Sequence, residues 1–208
     1  MLFVALALLL LQDQKQFEAT HSFTNDADVS EYAEQLCRKL SPEVSVRVVR
    51  ANEIRAAAWP GCIYVTTGLI SRAENEAQFA GALAHEIAHA TNAGSTVDAE
   101  SGACIRFAQI DPRLPDGKER ERTADEAALA MVIKSGYDPA PMLDFFSKVR
   151  REQPNAPTAF SSEDILLEKL QLEATDHPIR NGTVNTPEFV RIRAKLKPVQ
   201  PPGGASSQ

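Results

Sequence analysis

The pentapeptide His85-Glu86-Ile87-Ala88-His89 constrains this chain more than any other feature, because it sits inside an apolar stretch with helical spacing. Across residues 74–90, Phe79, Leu83 and Ile87 recur every four positions, which predicts a helix. Residues four apart on a helix stack one turn above each other, so both imidazoles project from one face towards a common point. The small and apolar neighbours Leu83, Ala84, Ala88 and Ala90 predict that this helix is buried. Two imidazoles and a carboxylate buried without compensation are costly, and a divalent metal removes that cost. A solvated helix that carries the pentapeptide by chance would not need such neighbours. A catalytic zinc takes three protein ligands and keeps a fourth position open. His85 and His89 supply two of them, and Glu86 is then placed to act on a water molecule as general base.

A third ligand is expected from a second helix. Residues 119–134 read as one, and within it Glu121 and Asp125 stand four apart on a shared face. Glu121 completes a His-His-Glu set for one zinc ion per chain. Asp125, one turn further, is placed to accept the free N–H of a ligand imidazole, with His85 the first candidate. Taken alone, the stretch fits a solvated charged face equally well, since Glu119, Arg120, Arg122 and Glu126 crowd it. Coupling to the pentapeptide favours the ligand reading.

The remaining pattern predicts an α+β fold, mostly helical, with a small three-stranded sheet ahead of the histidine helix. A first helix covers 25–40, capped by Asn25 or Asp26, with Val29, Tyr32, Ala33, Leu36 and Cys37 on one face. Strands are expected at 44–49, 54–59 and 62–67, paired as an antiparallel or mixed sheet. Further helices are expected at 139–151, 162–173 and 186–196, the last capped by Thr186 with Pro187 at its first position. Ser135-Gly136 closes the 119–134 helix in the manner of a C-cap.

At the N-terminus, residues 2–11 form an unbroken apolar run. About 20 residues are needed to span a bilayer as a helix, so this run is too short, but it suits the apolar part of a secretory signal. Neither a preceding Lys or Arg nor an Ala-x-Ala site accompanies it, and a buried or interfacial helix is the alternative. The expected organisation is a signal or anchor at 1–24, a catalytic domain at 25–197 and a disordered tail at 198–208. That points to an exported protein, periplasmic or extracellular, with peripheral membrane association through the N-terminus as a further option. The net charge of −6 gives no basic face for nucleic acid. Cys37, Cys62 and Cys104 are widely spaced, which fits separate buried thiols or one disulfide in an exported protein.

Four stretches together resemble the HtpX-like and CAAX-prenyl-protease-like zinc metallopeptidases, which are gluzincins. They are Ala56–Gly61 with Ile63–Val65 and Gly68–Ile70; Asn75–His89; Glu121–Asp125 followed by Gly136–Pro139; and His177-Pro178. The resemblance runs over about 28–197. It implies a zincin-like domain that hydrolyses peptide bonds of peptides or unfolded proteins, in envelope quality control. It also implies that substrate adds as a strand along Ala56, Ala57, Ala58 and Trp59. His177 would stabilise the oxyanion or cap the zinc in a resting state. A non-catalytic, zinc-stabilised chaperone-like module is the competing class, and the complete base at Glu86 counts against it. Thermolysin-like enzymes place the third Glu about 20 residues after the pentapeptide, whereas Glu121 follows His89 at a longer interval. Metzincins need a further His shortly after the motif, and none follows.

Overall fold

The computed structural model describes residues 14–59, 61–91, 117–152 and 182–196. The apolar run 2–11, Cys104, the predicted helix at 162–173, His177 and the tail lie outside them.

Helix α1 (residues 14–20) is followed by α2 (Ala27–Leu40) and strand β1 (Ser45–Val49). Asp26 caps α2 by accepting from the amides of Asp28 and Val29, and the predicted stripe Val29, Tyr32, Ala33, Leu36 and Cys37 is buried. Strands β2 (Ala56–Trp59) and β3 (Cys62–Thr66) complete a sheet ordered β1-β3-β2. The sheet is mixed: β1 runs parallel to β3 and β2 antiparallel to it. Gly61, with φ 69, supplies the left-handed residue of the turn between β2 and β3.

As the central strand, β3 is buried along its whole length. Its two faces serve different cores. Ile63 and Val65 join Val46, Val48 and Ala58 in the main core, whereas Tyr64 and Cys62 join Val49 and Trp59 in a second cluster on the outer face. That outer face is covered from within the stretch expected to be a leader. Phe17 lies 4.8 Å from the Trp59 ring and 4.9 Å from Tyr64. The Tyr64 hydroxyl donates to Glu18 at 2.6 Å and accepts from Gln14 at 2.7 Å. Cys37 and Cys62 are both buried free thiols.

Helix α3 (Thr67–Arg72) was not foreseen, because the β-rich run 62–67 hides its cap. Thr66 ends β3 and, through its Oγ1, accepts from the Leu69 amide at 3.1 Å. Helix α4 (Glu76–Ala90) carries the pentapeptide and is capped by Asn75, whose side chain accepts from Gln78 N at 3.0 Å. Every residue of α4 is buried, the state of a helix with packed neighbours on all sides. Helix α5 (Gly117–Lys134) packs along it, as does α6 (Ala140–Glu152). The approach of α6 requires a glycine: a Cβ on Gly81 would stand 2.3 Å from Met142 Cγ. Helix α7 (Pro187–Lys195) starts at the predicted Thr186 cap and sends Phe189 and Ile192 into the main core. Among the described residues, no helix is long and apolar enough to cross a membrane.

Candidate metal centre

The C-terminal half of α4 meets the N-terminal half of α5, and the predicted donors converge there. His85 Nε2 and His89 Nε2 are 3.1 Å apart. Glu121 reaches both, at 3.3 Å to His85 Nε2 and 3.5 Å to His89 Nε2. All three residues are buried, and their candidate ligand atoms lie within 4.8 Å of one another. The second predicted contact is also made: His85 Nδ1 lies 2.8 Å from Asp125 Oδ1. With Nδ1–H donating to that carboxylate, Nε2 of His85 presents its lone pair to the donor cluster.

The donor separations test whether a metal fits. Zinc bonds of about 2.0–2.1 Å in a tetrahedron put neighbouring donors about 3.3–3.4 Å apart. The three observed separations bracket that value. Charge points the same way. Glu86, Glu121 and Asp125 are three buried carboxyl groups gathered around two imidazoles, and a dication offsets what the imidazoles alone leave negative. Glu86 is 2 % exposed, and its Oε1 has no hydrogen-bond partner among the described residues. Burial pushes the Glu86 carboxyl above the usual carboxylate range, only partly opposed by His85 and His89. Burial likewise works on Glu121, but its contacts with the two imidazoles prevail and hold it below that range. For His85, burial opposes the charged form, and the Asp125 hydrogen bond and charge, with Glu121 behind them, outweigh it. His85, His89 and Glu121 therefore form a buried group that can hold a metal.

The charged-face alternative for residues 119–126 is realised alongside the ligand face. Arg122 pairs with Glu119 and Glu126 on the outer side of α5, while Glu121 and Asp125 point inward. One neighbour of the donor cluster was not legible beforehand: the Phe146 ring of α6 stands edge-on to His85 at 5.8 Å. Nothing in the spacing of α6 distinguishes Phe146 from its other core residues.

The expected substrate strand β2 is an edge strand beside α4. Thr66 N donates to Arg55 O at 3.0 Å, so position 55 faces β3. In an antiparallel ladder that orientation alternates, so Ala57 and Trp59 also spend their main-chain groups on β3. The main-chain groups of Ala56 and Ala58 point the other way, with Ala56 half-buried and Ala58 buried in the main core. Trp59 is engaged a second time, its side chain packing between Phe17 and Tyr64. Of the four expected positions, Ala56 and Ala58 are those whose main chain is turned away from β3.

No curated protein matches the chain. The match found is to a family, and it takes in α2, the sheet and the pentapeptide helix but stops short of Glu121 and Asp125, which stand on the geometry above. Residues 25–110 match the model of Peptidase family M48, so this part of the chain, with the pentapeptide helix, is similar to that family.

Proposed function

We propose that the chain is a zinc-dependent metalloendopeptidase that cleaves peptide bonds in peptides or unfolded proteins, in the manner of the HtpX-like and CAAX-prenyl-protease-like enzymes. The observation that carries this reading is the convergence of His85, His89 and Glu121 with Glu86 buried beside them. When bound, zinc supplies Lewis-acid polarisation of a peptide carbonyl and eases deprotonation of a water molecule. The chain's own residues do the rest. His85 and His89 present Nε2, and Asp125 holds the His85 ring in the tautomer that allows it. Glu86, as the carboxylate, accepts the proton of the attacking water and returns it to the leaving amine. The substrate lies as an added strand against Ala56 and Ala58, held by main-chain hydrogen bonds. His177 serves the oxyanion or caps the zinc in a resting state. The protein acts after export, in envelope quality control.

Glu86→Gln tests the reading. The variant should keep stoichiometric zinc and lose about 10²–10⁴-fold in peptide hydrolysis. Full activity in the variant would remove Glu86 as the base. Zinc uptake without hydrolysis in the wild type would instead favour the chaperone-like module.

A further inference from the structure

Glu76, the first residue of α4, is a second buried carboxylate on the same helix, 4 % exposed and remote from the donor cluster. At about 1.5 Å of rise per residue, nine positions place it some 13 Å from His85 along the axis. Its two oxygens are taken by hydroxyls from two other parts of the fold. Tyr137, just beyond α5, donates to Oε1, and Thr186, the cap of α7, donates to Oε2. Burial in the first place, and the Glu76 carboxylate next, hold the Tyr137 phenol well above its ordinary range, so it remains a donor. Tyr137 is fully buried and lies under Lys39, whose Nζ is 3.9 Å from the ring centroid.

Glu76 does not cap its own helix. The first-turn amides are satisfied elsewhere: Glu76 N donates to Asn185 Oδ1 at 3.2 Å, Ala77 N to Val184 O at 3.0 Å and Gln78 N to Asn75 Oδ1 at 3.0 Å. The carboxylate is therefore directed to its neighbours. Local sequence delivers Tyr137 to it. Gly136, at φ 79, lets α5 end with Gly136 N on Ile133 O and Tyr137 N on Val132 O, a Schellman closure. Residues 183–186 then thread between this turn and α4, with Thr183 N on Gly136 O at 2.8 Å and Asp138 N on Thr183 O at 3.0 Å.

The two ligand helices are antiparallel and are thus joined at both ends. One end is the donor cluster, and the other is the Glu76–Tyr137–Thr186 junction. Packing along α4 fixes its side-to-side position, and the Glu76 junction adds the polar tie at the end away from the donors, where a small shift of α4 would change the spacing of His85 and His89 from Glu121. We propose that Glu76 is a positioning residue for the metal centre: through Tyr137 and Thr186 it fixes α4 against α5 so that the three donors stay converged. This rests on the metallopeptidase reading above.

The test is zinc affinity, measured by competition with a chromophoric chelator on the full chain, with the absorption spectrum of the cobalt-loaded protein as a second readout. Glu76→Ala should weaken zinc binding by about tenfold or more and alter the cobalt spectrum. Glu76→Gln, which can still bond both hydroxyls, should restore most of the affinity. Tyr137→Phe and Thr186→Val, milder changes that keep the fold, should each weaken it less than Glu76→Ala. Val46→Ala in β1 serves as the stability control and should lower Tm without changing affinity. Wild-type affinity in the Glu76 and Tyr137 variants, or an equal loss of affinity in Val46→Ala, would overturn the proposal. The wild-type arm is read first: a wild-type chain that takes up no zinc overturns the peptidase reading and this inference with it, whereas normal wild-type binding confines any failure to Glu76.

Discussion

Asp125 shows how much one buried residue can decide. It is fully buried and touches His85 through Nδ1 at 2.8 Å, and burial pushes its carboxyl up while the imidazole pulls it back down. That contact selects which ring nitrogen of His85 faces the donor cluster. Removing it frees the ring to rotate and to adopt the wrong tautomer, so Asp125→Ala should weaken zinc binding by about 10–100-fold. Metal titration of the purified variant checks this, and unchanged affinity would assign Asp125 a purely structural part. Glu121 and Asp125 were legible as a pair because their spacing of four put them on one helical face once the histidine helix demanded a partner. Phe146 was not, since an edge-on ring against His85 depends on how α6 crosses α4, and that crossing is set by Gly81 meeting Met142.

At the scale of elements, helices with strong stripes and caps were read closely: α2 with Asp26, α4 with its apolar spacing and α7 with Thr186-Pro187. Sheet topology was less legible. Alternation in β1 and β-forming composition in β3 reveal strands, but pairing partners are chosen by tertiary packing, so the parallel β1–β3 pairing came only with the structure. The same register decides where the proposed substrate strand can be probed. A proline at Ala57 would strike the β3 ladder, whereas Ala56→Pro removes an outward donor at the half-buried first position of an edge strand, where proline is tolerated. Ala56→Pro should lower kcat/KM by about two- to tenfold, the worth of one main-chain hydrogen bond, with zinc content unchanged. Steady-state kinetics on a peptide substrate checks this, and an unaffected kcat/KM would argue against strand addition at that edge.

Across the whole molecule, one buried helix organises everything described. α4 touches the sheet, α2, α5 and α6, presents His85, Glu86 and His89 near its C-terminal end, and is tied by Glu76 at its start. The outer face of the sheet, covered by Phe17 and Phe23, forms a second small core away from the metal centre. The match to Peptidase family M48 takes in residues 25–110, and α5 adds the carboxylates Glu121 and Asp125 from beyond it. The central claim is that three side chains from two helices hold one metal ion. Anomalous diffraction at the zinc edge from crystals of the zinc-loaded protein tests it most directly. The account predicts a single peak about 2.0–2.2 Å from His85 Nε2, His89 Nε2 and a Glu121 oxygen. A zinc peak on other residues, or one coordinated by the two histidines with Glu121 turned away, would contradict it.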